Sequence, residues 1–210
     1  MTIASDNKTL FSVAEKVLVT TGVQANQACL DFGCGHGNYA IPLARLVGPA
    51  GKVYALDKDE RALERLGERA RAAGLANIET VVWSDESRLP FGNRSLDLVL
   101  LYDVLHEHYF SADQRASLLR EVGRVSKPGA LLSVFPRHMT DDEVAREIAG
   151  RAARIGFEAA GEYEGAVVHD DAVTQGRIVT FRKAGGQPQS SRPAGDSARR
   201  PRRRSEGPHR

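Results

Sequence analysis

The sequence predicts a single doubly wound α/β domain, a mostly parallel sheet with helices on both faces. Three observations carry this. Residues 28–32 form a short apolar strand that runs straight into the glycine-rich turn Gly33-Cys34-Gly35-His36-Gly37, and a helix follows from Tyr39 to about Val47. Residues 51–57 repeat the apolar strand after that helix, which is the rhythm of a parallel sheet with right-handed crossovers. Residues 95–101 are the most apolar run of the chain and read as a central strand buried on both faces.

Length and composition agree with this class. The 210 residues suffice for one such domain and a tail, with a core large enough to fold unaided. No stretch approaches the roughly 18 consecutive apolar residues of a membrane helix, and residues 1–8 are polar, without the apolar region of a signal peptide. A soluble, cytoplasmic protein is expected. Cys29 and Cys34 are the two cysteines; their spacing excludes a CxxC pair and argues against a disulfide framework, and no metal site is read from the sequence. The net charge of +2 hides an asymmetry, because residues 184–210 carry seven arginines against Asp196 and Glu206, leaving the first 183 residues at −3. The acidic body speaks against specific nucleic-acid binding, and the basic tail offers only salt-sensitive attraction to polyanions.

Each element follows in order. Residues 8–21 place Leu10, Phe11, Val13, Ala14, Val17 and Leu18 at a helical period, with Ser5, Asp6 or Asn7 as cap and Gly22 as stop. After the first strand, three glycines at alternate positions let the backbone pass close under a ligand, and the next helix aims its free N–H groups at the same spot. A nucleotide-like ligand suits such a turn. The second strand ends in Asp57, with Lys58 beside it, and Asp59 caps a helix over about 60–73 that Gly74 stops. Strand three covers 78–83 and leaves through the loop 84–91. The central strand exits through Tyr102, Asp103, His106 and His108, the chemically richest segment, and ligands of open α/β sheets bind outside the carboxyl ends of the strands. A helix over about 112–125 leads to the turn Ser126-Lys127-Pro128-Gly129 and to strand five at 130–135, with Arg137 and His138 just beyond its end. Thr140 or Asp141 caps a helix reaching about Ile155, and two last strands lie near 158–163 and 177–182. From Ala184 onward glycine, proline, serine and arginine dominate. Too little there is apolar to offset chain entropy, so the domain is expected to span 1–183 and the basic tail 184–210 to be disordered.

The pattern Asp31-x-Gly33-x-Gly35-x-Gly37 resembles the first motif of class I S-adenosylmethionine-dependent methyltransferases. The acid ending strand two, the loop Ser84-Asp85-Glu86-Ser87-Arg88-Leu89-Pro90-Phe91 and the Lys127-Pro128-Gly129 turn are similar to later motifs of that family, in the right order across residues 28–135. The likeness is to its small-molecule branch, which includes quinone-biosynthesis methyltransferases. The resemblance implies a Rossmann-like, seven-stranded sheet that ends in an antiparallel hairpin, S-adenosylmethionine as cofactor and a small-molecule methyl acceptor. It also implies cofactor contacts from Asp31, Gly33, Gly35, Gly37 and Tyr39 around the first turn, and from Tyr102 on the strand-four rim. Asp57 would accept from the ribose hydroxyls beside Lys58, Asp85 from the adenine amino group, and the Glu86 backbone N–H would donate to a ring nitrogen. The helix within 1–22 would be a lid over the cofactor or would simply pack on the sheet.

Two readings from other classes stand beside this one. An NAD-dependent oxidoreductase is disfavoured because Asn38 occupies the sixth position of the fingerprint, where glycine is required, and no Tyr-x-x-x-Lys pair follows strand five. A catalytically silent S-adenosylmethionine-binding module stays open. Methyl transfer from an activated sulfonium asks mainly for placement, and an acceptor that must lose a proton needs a base. His106, His108 and Asp103 are the candidates for that base, while His138 and Arg137 can orient the acceptor. A cysteine trio for arsenic chemistry and an Asn-Pro-Pro-Tyr segment for a flipped base are both missing.

Overall fold

The structure, a computed structural model, describes residues 6–84, 88–140 and 143–185. Its seven strands are β1 (Ala28–Phe32), β2 (Lys52–Asp57), β3 (Ile78–Val82), β4 (Leu96–Tyr102), β5 (Ser126–Phe135), β6 (Phe157–His169) and β7 (Ala172–Lys183), arranged in the order β3-β2-β1-β4-β5-β7-β6. The first five pair in parallel, and β7 is antiparallel to both β5 and β6. This is the expected doubly wound sheet with an antiparallel last hairpin.

Strand alternation divides the core. On one face Leu98, Leu100 and Tyr102 of β4 join the buried residues of α1 (Asn7–Thr21), α2 (Ala40–Val47) and α3 (Glu60–Ala72). On the other, Val99 and Leu101 pack with Leu118, Leu119 and Val122 of α4 (Ala112–Val125) and with Ala152 of α5 (Gly150–Arg154). Leu96 breaks the alternation and joins the second face, because the register against β5 shifts between Leu96 and Leu98. Burying each such leucine or valine contributes about 1.5–3 kcal/mol, which is why this run sits at the centre.

The helix ends follow their sequence signals. The Asp6 side chain accepts from the Thr9 N–H at 2.7 Å at the start of α1, and Gly22 closes the helix in the left-handed region, φ 96°. Leu10, Ala14, Val17 and Leu18 of α1 are buried beside Val167 and Ile178 of the hairpin, and among the described residues none of α1 lines the large cavity. Thr140 and Glu143 cap each other's backbone N–H groups ahead of a π-helical turn, Val144–Ala149, that continues into α5. The helix expected without interruption to Ile155 is thus a widened turn followed by a short α-helix. Among the described residues no helix is long and apolar enough to cross a membrane.

The last hairpin departs most from expectation. Its strands run 13 and 12 residues, where short strands near 158–163 and 177–182 were expected. They are joined by Asp170 and Asp171, both at positive φ (46° and 56°), the two-residue turn whose twist matches paired strands. The added length carries the hairpin tip to the carboxyl ends of the parallel strands.

Candidate functional site

At the point where the strand order reverses, between β1 and β4, the carboxyl ends of the parallel strands open into a cavity of about 410 Å³. The glycine turn forms its floor. Gly33, Gly35 and Gly37 all hold positive φ, at 73°, 50° and 85°. A Cβ on Gly37 would stand 2.8 Å from Leu66 Cγ and one on Gly33 would collide with Val104, whereas Gly35 has nothing within 4 Å of that position. Gly35 is therefore the place where a ligand can lie directly on the backbone.

Two carboxylates frame this spot. Asp57 Oδ2 accepts from the Gly35 N–H at 2.8 Å and Oδ1 from the Asp59 N–H at 3.0 Å, so each oxygen keeps a further lone pair. Asp31 is buried at the end of β1, where the first N–H of α2, on Ala40, donates to it. Its Oδ2 is buried with no hydrogen-bond partner among the described residues. Burial, and then the nearby Asp57 charge, push the Asp31 carboxyl up to about 7. A carboxylate in this state is satisfied by an incoming cation.

Tyr39 and Tyr102 line the cavity with their rings, edge to face at 4.6 Å, but their hydroxyls belong to the protein. The Val168 N–H donates to the Tyr39 hydroxyl at 3.0 Å, and the Tyr102 hydroxyl bonds Ser133 Oγ at 2.8 Å. Lys58 reaches the cavity with its Nζ 5.1 Å from the centre of the Tyr109 ring. Beyond β3, Trp83 packs edge-on to Phe32 at 4.9 Å, near Phe110, and its indole N–H is buried without a partner among the described residues. Asp85 and Glu86 lie outside the described residues.

The hairpin tip closes the fourth side, and sequence reasoning missed it. Asn38 Nδ2 donates to Asp171 Oδ1 at 2.7 Å, and His36 stands 3.5 Å from the same carboxylate. His169 Nε2 donates to Asp103 Oδ2. Of the three expected bases, Asp103 lines the cavity, while His106 and His108 stand outside its lining, packed against His138 with ring centres 5.1 Å and 6.4 Å away. Burial lowers the His106 imidazole below the usual histidine range, neighbouring His138 and His108 push the same way, and Asp103 opposes them. Arg137 is exposed. The Asp-Asp pair between apolar Val168 and Ala172 was the available signal for the tip, weaker than an Asn-Gly turn.

Residues 29–129 match the methyltransferase-domain family. Demethylmenaquinone methyltransferase of Geobacillus kaustophilus (strain HTA426) is 34% identical over 117 residues, which cover 56% of this chain and 48% of that protein. The chain thus spans about half the length of the curated relatives it matches. A solved S-adenosylmethionine-dependent methyltransferase from Aquifex aeolicus superposes with a TM-score of 0.63 at 24% identity, covering 85% of this chain and 98% of that one. The cyclase SpnF superposes with the same TM-score at 19% identity, over 84% of this chain and 81% of its own, so the architecture alone does not decide the reaction. Residues 29–129, just under half of the chain, thus match the methyltransferase-domain family, and they lie on a doubly wound sheet with a switch-point cavity, the fold of the solved methyltransferases it superposes on.

Proposed function

We propose that the chain binds S-adenosylmethionine in the switch-point cavity and transfers its methyl group to a small-molecule acceptor in the cytoplasm. The observation that carries this reading is the pair of carboxylates around Gly35, one of them, Asp31, buried with an unpartnered oxygen. The methionine ammonium would pair with Asp31, and the ribose hydroxyls would donate to the free lone pairs of Asp57. The adenine would lie toward Trp83 and the loop that carries Asp85 and Glu86.

The sulfonium carries its own activation. The protein has to hold the methyl carbon and the acceptor atom at ~3 Å in line and keep water out, which supplies much of the acceleration. The acceptor would enter past Asp103 and the histidine rim. Asp103 and His169 line that side, and His106, its imidazole held below the usual histidine range by burial, is the base proposed beside it, with His108 adjacent.

Thermal melting tests the cofactor. S-adenosylhomocysteine should raise the melting temperature while NAD and NADP leave it unchanged, and selective stabilisation by NAD would sink the reading. A panel of acceptors with labelled S-adenosylmethionine then tests the reaction. Demethylmenaquinone, the acceptor in the relatives' name, belongs first in that panel.

A further inference from the structure

Three metal-ligating side chains from three separate elements converge at the cavity rim. Asp103 leaves β4, His138 lies just past β5 and His169 ends β6, yet one carboxylate oxygen and one ring nitrogen of each histidine all lie within 4.8 Å of one another. Asp103 Oδ1 stands 3.6 Å from His138 Nε2 while Oδ2 accepts from His169 Nε2. An ion with bonds of ~2.0–2.2 Å to nitrogen and oxygen spaces its ligand atoms by roughly 3–3.5 Å, so small side-chain rotations bring all three to bonding distance.

Two further features set this cluster apart from an ordinary ion pair. Asp103 Oδ1 is buried and makes no hydrogen bond among the described residues, although an imidazole stands beside it. Such an oxygen is satisfied by a cation. Asp103 also holds φ at 54°, unusual for a residue with a Cβ, and its N–H is tied to the Phe135 carbonyl at 3.0 Å. The backbone is thereby fixed so that one carboxylate meets both imidazoles.

We propose that Asp103, His138 and His169 bind a first-row divalent transition-metal ion. Two imidazoles and one carboxylate suit zinc, cobalt, iron, nickel or manganese, whereas magnesium and calcium prefer all-oxygen sets. Three protein ligands leave positions open, and the His138 side chain is 49% exposed, so an ion there is accessible from solvent. A role in polarising the acceptor oxygen rests on the methyl-transfer reading; the site itself does not.

Cobalt(II) titration of the untagged full chain, followed by visible absorption, tests the site. One equivalent should give d–d bands that zinc abolishes. His138→Ala and His169→Gln should each weaken the affinity at least about a hundredfold, since even outer partners of metal sites are worth ten to a hundredfold. His209→Ala should leave it unchanged. His138 is half-exposed at the rim, so its alanine variant should keep its melting temperature and still report on the ion. Absence of stoichiometric binding by the folded protein, or equal binding by His138→Ala, overturns the site. S-adenosylhomocysteine stabilisation measured on the same samples separates the two readings: stabilisation without cobalt binding removes only the metal, and cobalt binding without stabilisation supports the site while removing the cofactor assignment.

Discussion

Asp103 and His169, 66 positions apart in the chain, are joined by a hydrogen bond at the mouth of the cavity. The contact ties the exit of the central strand to the tip of the last hairpin. Further ties hold the same tip from the other side, Asn38 and His36 to Asp171 and Tyr39 to the Val168 main chain, and they start from the glycine turn and its end. The tip therefore bridges the glycine-turn floor and the β4 rim of the cavity.

Asp57 gives the first prediction. It holds the Gly35 and Asp59 N–H groups and is proposed to accept from two ribose hydroxyls as well. Hydrogen bonds to a charged acceptor contribute about 1.5–3 kcal/mol each. Asp57→Ala should weaken S-adenosylhomocysteine binding at least tenfold and lower the melting temperature, because Gly35 loses its partner too. Asp57→Asn keeps an acceptor oxygen and should retain more of the stability than of the affinity. Calorimetry giving an unchanged dissociation constant for a folded Asp57→Ala protein would restrict Asp57 to a structural role.

Asp31 should show opposite effects on stability and binding. Its folded-state value of about 7 lies above the ordinary carboxyl value of 3.8, so between these the folded chain holds a proton that the unfolded chain has released. The contribution to stability is full below about 4 and is lost as pH rises toward 7, up to a few kcal/mol. Asp31→Asn should abolish this component, making the ligand-free protein more stable than wild type at pH 8 and little different at pH 4. The same change removes the charge proposed to pair with the methionine ammonium and should weaken S-adenosylhomocysteine binding about tenfold or more. Parallel melting curves and calorimetry at the two pH values check it; a variant that is no more stable at pH 8 contradicts the buried-charge argument.

The parallel half of the fold was legible because its signals are local. An apolar strand, a glycine turn and a helix are contiguous in sequence, and Asp31 and Asp57 sit at strand ends whose positions the periodicity sets. The hairpin tip was not legible for the opposite reason. Between Tyr163 and Arg177 two glycines, Gly165 and Gly176, interrupt the strand pattern, and Gly176 is there because a Cβ would come within 2.8 Å of Phe135. His169 enters the site only through partners tens of residues away. His106 and His108 follow the exit of β4, where chain order puts them, but the direction of a side chain in an irregular loop has no sequence period. The chain therefore gave their neighbourhood and not their position outside the cavity lining.

The tail gives the third prediction. Its residues beyond 185 have almost no apolar side chains and carry a run of like charges, so their removal is expected to cost the core little. Ala184 still matters, because its N–H donates to the Gly156 carbonyl at 2.8 Å and closes the end of β7. A chain ending at Gly185 should keep its melting temperature and its S-adenosylhomocysteine affinity, whereas one ending at Lys183 should lose roughly a degree or two through the missing hydrogen bond. A drop of many degrees for the longer of the two would mean that the tail docks on the body.

The last prediction isolates the coupling between the glycine turn and the hairpin tip. The Tyr39 hydroxyl accepts from the Val168 N–H at 3.0 Å and donates to the Val168 carbonyl at 3.3 Å, in a buried environment that drives the phenol pKa upward and keeps it neutral. Tyr39→Phe leaves the ring in place against Tyr102, so packing survives, but it strands a buried N–H and a buried carbonyl on β6. Such orphaned groups cost about 1–3 kcal/mol, or roughly 2–12 °C in a domain of this size. Hydrogen exchange at the Val168 amide should quicken by a larger factor than exchange in β4, because the tip loosens while the central strand does not. Cofactor affinity should fall severalfold, since Asp171 and His169 are then held to the turn and to Asp103 by fewer ties. Exchange at Val168 and melting that both match wild type would show that the contacts of His36, Asn38 and Asp103 hold the tip without the Tyr39 hydroxyl.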